Sequence, residues 1–206
     1  MGTALNPLQL QAALRQQPPA PVYLVAGEED LLRDEAVATL KAALLGEGGD
    51  FNFDVFYGDE AAGSDILTCA LEVPVFAECR VVLVKGAEKI SAREAEVLLP
   101  YLAAPVQATT VIFVSTKLDG RLKFSQALAR AAVTVDCSPL RDMHLGPWIN
   151  RDAQRLGLRL DEKAVEVLKE TSGGSLYAVR RELEKLASYI TTDRLATAAD
   201  VYQLRG

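Results

Sequence analysis

Runs of apolar residues change their period several times along the chain, and each change marks an element. Val22–Val25 is a continuous apolar run of strand length, followed by Gly27 and a Leu- and Ala-rich stretch over residues 29–45 whose pattern predicts a helix. Ahead of them, Asn6 as N-cap and Pro7 at the first helical position predict an opening helix that ends near Gln17. Pro18, Pro19 and Pro21 then make a stiff entry into the first strand. The Gly46–Gly49 region breaks the chain, and Phe51–Tyr57 alternates apolar and polar at period two, as a half-exposed strand does. A short helix is expected from an N-cap at Ser64 to Leu71, stopped ahead of Pro74. Arg80–Lys85 and Thr109–Ser115 are apolar runs suited to strands buried on both faces of a parallel sheet. Between them Ser91–Leu102 is amphipathic: Ala95, Leu98, Leu99 and Leu102 share one face, with Arg93, Glu94 and Glu96 largely away from it. A helix over about residues 122–131 precedes a short strand, Val133–Val135. Five strands alternating with helices predict a three-layer α/β domain.

Past Cys137-Ser-Pro-Leu140 the pattern becomes purely helical. Helices are expected over residues 143–156, 161–171 and 175–190, with another beginning near Thr197. Asp161 caps the second; Gly173 and Gly174 end it, and Ser175 caps the third. Leu176, Val179, Leu183, Leu186 and Ile190 form a seam at three- and four-residue spacing, read as packing within a small bundle. The expected organisation is an α/β domain over residues 1–140 and a helical domain over 141–206.

Composition narrows the function. The 206 residues are half apolar and 24% charged, the make-up of a folded globular protein. No apolar run approaches the ~20 residues needed to cross a bilayer, and the N-terminal stretch lacks the basic start and long apolar segment of a signal peptide. Cys69, Cys79 and Cys137 are odd in number and widely spaced, which reads as reduced core thiols of a cytoplasmic protein. Residues 1–140 carry 11 Lys/Arg against 18 Asp/Glu, a net of −7, whereas residues 141–206 carry 11 against 10, a net of +1. An acidic first domain is poorly equipped to grip a phosphate backbone, so any work near nucleic acid is expected to run through other proteins.

The strand–turn–helix VYLVAGEEDLLRDEA has the framework on which P-loop proteins build a phosphate cradle, but not its chemistry. A cradle needs glycines to bring backbone N–H groups to the phosphates, a Lys for their charge and a Ser/Thr for the metal. Here Glu28, Glu29 and Asp30 occupy the turn, and three carboxylates repel a triphosphate with only partial relief from the helix N-terminus. The third strand is expected to end on acids that hold magnesium in an ATPase of this architecture; instead Lys85-Gly-Ala-Glu-Lys89 follows it. His144 is the sole histidine and has no pattern of partners, so a structural role is expected of it. Glu28, Glu29, Asp30 and Asp34 read as a solvated acidic helix start rather than a metal site.

The positive candidate is Leu71-Glu-Val-Pro-Val-Phe-Ala-Glu-Cys-Arg80, a connection between helix and strand that carries Val73, Val75 and Phe76 where loops are usually polar. Two placements fit: Phe76 folds back into the core, or it forms an exposed apolar plug rimmed by Glu72 and Glu78 that enters a partner's pocket.

Taken in order, PVYLVAGEEDLLRDEA, FNFDVFYGDE, ALEVPVFAECRVVLVKGAEKI, TTVIFVSTKLDGRLKFSQAL, VDCSPL, PWINRDAQRLGLRLDEKAVEVL and GGSLYAVRRELEKLASYI resemble the delta subunit of the bacterial DNA polymerase III clamp loader. The resemblance implies a RecA-like AAA+ domain followed by a small helical lid. It implies a DNA-replication subunit with no ATP hydrolysis of its own, hence no cofactor, catalytic residue or metal. It further implies binding to the ring-shaped sliding clamp (beta subunit) and opening of one interface, with delta prime and tau/gamma as further partners and DNA met only indirectly. The family's apolar contact pair falls on Val75 and Phe76, with Leu71 and Pro74 beside them. AAA+ ATPases commonly read Gly-x-x-Arg at the third lid helix; the matching run here is Gly174-Ser-Leu-Tyr177, with Tyr in the Arg position. Family members are longer and carry a third helical domain, so this chain is expected to be a fragment. A nucleotide-dependent AAA+ ATPase with an unorthodox site, and an assembly-only loader subunit, are the alternatives.

Overall fold

The computed structural model describes residues 4–45, 49–190 and 194–204, in two compact units, Met1–Ser138 and Pro139–Gly206. The first unit runs α1 (Pro7–Gln16), β1 (Val22–Ala26), α2 (Asp30–Leu44), β2 (Phe53–Tyr57), α3 (Gly63–Leu71), β3 (Arg80–Lys85), α4 (Ala92–Ala103), β4 (Thr109–Ser115), α5 (Lys123–Ala131) and β5 (Val133–Asp136). Its five strands are all parallel, in the order β2-β3-β4-β1-β5. Because side chains alternate across a strand, each buried strand feeds two cores. Val22, Leu24, Val82, Val84, Val111 and Phe113 pack beneath α3, α4 and α5, while the alternate residues Tyr23, Val25, Val81, Leu83 and Ile112 face the α1–α2 side, where Leu10, Leu31, Leu32 and Leu40 are buried. This is the three-layer α/β arrangement that the pattern predicts. The free edge of β5 is covered by Leu5, whose N–H donates to the Thr134 carbonyl at 2.9 Å and whose carbonyl accepts from Asp136 N–H at 2.7 Å.

Local chemistry sets the boundaries. Asn6 caps α1 in a reciprocal box with Gln9, at 2.9 and 3.0 Å. Helix α3 departs from expectation: it begins at Gly63, and its first amide is capped not by Ser64 but by the Glu94 carboxylate of α4, at 2.7 Å. A Cβ on Gly63 would lie 2.3 Å from the Glu94 carbonyl oxygen, so glycine permits this close crossing of α3 on α4. The period-two run starts as a strand only at Phe53; Phe51 and Asn52 lie in a 3₁₀ turn over Gly49–Asn52. Residues 46–48 of the expected Gly46–Gly49 break lie outside the described residues.

The second unit holds α6 (Asp142–Arg155), α7 (Glu162–Thr171), α8 (Leu176–Tyr189) and α9 (Ala198–Leu204). The purely helical expectation is corrected by a short parallel pair, β6 (Arg159–Leu160) with β7 (Leu195–Ala196), extended by Asp161 N–H donating to the Ala196 carbonyl at 3.0 Å. Asp161 and Ser175 cap α7 and α8, Gly173 and Gly174 take positive φ between them, and the Leu176–Ile190 seam is buried throughout. Asp152, buried on α6, accepts a two-pronged bond from Arg180 of α8 at 2.8 and 2.9 Å. No described helix is long and apolar enough to cross a membrane.

Candidate functional site

Helix α3 stops at Leu71, Pro74 prevents its continuation, and the connection to β3 crosses the surface. Phe76 is fully exposed (106%), Val73 nearly so (81%), and Leu71 and Val75 are about half exposed; Pro74 is half-buried. Of the two placements open to Phe76, the structure takes the exposed one. The four candidates Leu71, Pro74, Val75 and Phe76 thus fall on one short segment, with Val73 as a further exposed member.

The segment is held from below by residues that sequence reasoning missed. Asn52, 1% exposed at the entrance to β2, donates from Nδ2 to the Val75 carbonyl at 2.8 Å and accepts from Val75 N–H at Oδ1 at 2.7 Å. Only one orientation of the Asn52 amide satisfies both groups. Arg80, buried at the start of β3, pairs with Glu72 at 2.7 Å and with Asp54 of β2 at 2.8 Å. The loop is therefore tied to β2 at Val75 and to the head of β3 through Glu72. Phe76 itself sits at φ +53°, a left-handed conformation rare for a bulky residue and costing about 1–2 kcal/mol. A polar Asn inside an aromatic run and an Arg heading an apolar strand are the signals that could have found these supports.

The turn after β1 is filled by the protein's own groups. Gly27 has φ +149°, and a Cβ there would lie 2.0 Å from the Cys137 carbonyl carbon. Gly27 N–H donates to the Ser115 carbonyl at 3.2 Å and Glu29 N–H to the Cys137 carbonyl at 3.0 Å. Amides that a cradle would aim at phosphate are thus committed to backbone carbonyls. Arg33 bonds both the Gly27 carbonyl and the Asp30 carboxylate. Burial pushes the Glu29 carboxyl above the usual carboxylate range, against the opposing pull of the Leu31 amide and Arg33.

At the end of β3, Gly86 takes φ +68° into a 3₁₀ turn over Ala87–Lys89. Burial raises the Glu88 pKa, but hydrogen bonds from its own backbone and from Thr116, whose hydroxyl donates at 2.8 Å, outweigh that and hold it low. Lys89 pairs with Asp59 at 3.0 Å. Tyr177 lies in the first turn of α8, partly exposed, and His144 is exposed in the first turn of α6. Cys69, Cys79 and Cys137 are free thiols; Cys69 and Cys137 are buried as expected, which pushes them up to about 11 and about 12, whereas Cys79, on the connection into β3, is only half-buried. Among the described residues no group of three or more His, Cys, Asp or Glu could hold a metal ion.

Comparison with known proteins bears on the family and the fold. The family model for the DNA polymerase III delta subunit matches residues 23–138. The DNA polymerase III subunit delta of Bacillus subtilis is 27% identical over 196 residues, covering 89% of this chain and 56% of that protein. The solved structure of the Bacillus subtilis DNA clamp loader delta protein superposes with a TM-score of 0.75 at 25% identity, covering 97% of this chain and 62% of that one. The Thermotoga maritima RuvB Holliday junction branch migration motor matches with a TM-score of 0.56 at 17% identity over 95% of this chain and 64% of its own. That likeness shows a shared fold alone. The chain spans a little under two thirds of the delta proteins it matches.

Proposed function

Because the chain belongs to the family of DNA polymerase III delta subunits, we propose that it binds the sliding clamp through Val75 and Phe76, with Leu71 and Pro74 beside them, and opens one interface of the ring. The observation that carries this reading is Phe76, fully exposed on a loop that Asn52 and Arg80 hold in place. A ring of this size buries ~150–250 Å² in a partner's pocket, worth on the order of a few kcal/mol. Opening follows if this contact favours the open ring over the closed one, since a ligand shifts an equilibrium only by its differential affinity.

The chain does this without hydrolysing ATP itself. That part is supported by the turn after β1, where amides are committed to the Ser115 and Cys137 carbonyls and Arg33 bonds Gly27. Delta prime and tau/gamma are the remaining protein partners, with DNA met through them, in the cytoplasm.

Titration of purified sliding clamp with the chain and with the Val75→Ala/Phe76→Ala variant tests the docking. The variant is expected to lose binding with its melting curve nearly unchanged, because both side chains are exposed. A melting loss with binding intact sinks the reading, and no binding by the wild-type chain favours an assembly-only subunit. ATP with magnesium is expected to give neither turnover nor thermal stabilisation; either result would favour the unorthodox ATPase.

A further inference from the structure

We propose that Phe51 is a second aromatic anchor of the docking surface, so that the sliding clamp meets two rings rather than one. This rests on the clamp-docking reading above. Phe51 is 83% exposed, and its neighbour Asn52 grips both backbone groups of Val75, the residue before Phe76. Consecutive Cα atoms are about 3.8 Å apart, so Phe51 and Phe76 each stand one residue from a hydrogen-bonded pair, with backbones within roughly 15 Å of one another. Phe51 and the exposed apolar residues Val73, Val75 and Phe76 thus stand on two chain segments that Asn52 joins at Val75.

Interface cores are enriched in aromatic residues and their energetic anchors cluster near the centre of the contact, which two exposed rings on segments tied together can supply. The charge around the patch states the partner's other half. Arg80 serves both Glu72 and Asp54, and Glu78 is exposed on the same loop, giving three carboxylates against one guanidinium. The complementary surface is an apolar groove with two depressions and a rim of Lys or Arg.

The test uses the chain and purified sliding clamp. Phe51→Ala is expected to weaken binding about tenfold or more, since truncating an aromatic anchor removes well over 1 kcal/mol. Its melting temperature should hold, and Phe51→Leu should keep most of the affinity. Photoreactive benzoylphenylalanine at position 51 is expected to crosslink to the clamp, a result that loss of loop support alone would not produce. Glu78→Lys should flatten the salt dependence of association. Unchanged affinity for Phe51→Ala, or no crosslink from position 51, overturns the second anchor while Phe76→Ala still abolishes binding. If Phe76→Ala also binds normally, the docking reading falls and this inference with it.

Discussion

Replacing Asn52 by Ala deletes no exposed apolar surface, yet it should weaken clamp binding. The substitution removes two hydrogen bonds, Nδ2 to the Val75 carbonyl at 2.8 Å and Val75 N–H to Oδ1 at 2.7 Å. Each is worth about 0.5–1.5 kcal/mol net. Val75 is half exposed, so its backbone groups regain water after the change, which puts the expected total at about 1–2 kcal/mol. For a unit of this size that is a fall in melting temperature of about 3–6 °C. Binding suffers separately. A loop released from Val75 must be ordered again when Phe76 docks, and fixing even one residue's backbone costs about 1–2 kcal/mol. The dissociation constant is expected to rise about 5- to 30-fold on that account. Asn52→Asp should be worse at neutral pH, because a carboxylate accepts from Val75 N–H but opposes its carbonyl oxygen. Thermal melting and clamp titration on wild type, Asn52→Ala and Phe76→Ala separate the terms: the first variant moves both readouts, the second only binding. Melting and affinity both unchanged in Asn52→Ala would refute the claim that this side chain organises the loop.

Two further outcomes follow from particular contacts. Gly27→Ala places a methyl 2.0 Å from the Cys137 carbonyl carbon at a φ of +149°, and should cost about 3 kcal/mol or more, read as a large drop in melting temperature. Gly120→Ala, where a Cβ meets nothing within 4 Å, is the control and should melt like wild type. In the second unit, the Arg194 fork at 2.8 Å and the Thr197 amide and hydroxyl hold the Asp200 carboxyl well below the usual carboxylate range. Its folded pKa being depressed, the stability it contributes is fully present above the unfolded value of about 3.9 and is lost as pH falls beneath it. The melting difference between wild type and Asp200→Asn should therefore shrink between about pH 5 and pH 2; a constant difference would refute the assignment.

The elements were legible because their signals are local. Strands β3 and β4 begin and end where their apolar runs do, and Asn6, Asp161 and Ser175 cap the helices that their positions announce. What escaped is long-range. Glu94 was placed on the polar side of α4 by periodicity, and nothing local says that its carboxylate caps a helix 31 residues earlier. Asn52 read as one polar beat of an alternating strand, whereas it lies in a 3₁₀ turn and binds backbone 23 residues away. The pair β6–β7 is two residues long on each side, too short for any period to register. For the loop itself, composition drew attention to the segment but could not choose between core and surface for Phe76, since an aromatic flanked by carboxylates fits both.

The choice is settled by how the loop is built. Apolar side chains left free to move would collapse onto the nearest apolar surface, because each Å² removed from water is worth about 25 cal/mol. Here collapse is blocked at three points: Pro74 ends the helix, Asn52 fixes the backbone of Val75, and Arg80 fixes Glu72. Phe76 meanwhile holds a φ of +53°, which persists only where the surroundings over-determine it. Under the proposed clamp docking, the compensation for this backbone strain and for keeping a benzyl group in water lies outside the chain. On that proposal the free energy lost by exposing the ring would be recovered when the clamp covers it, and a loop already held by Asn52 and Arg80 would spend little of it on ordering at that moment.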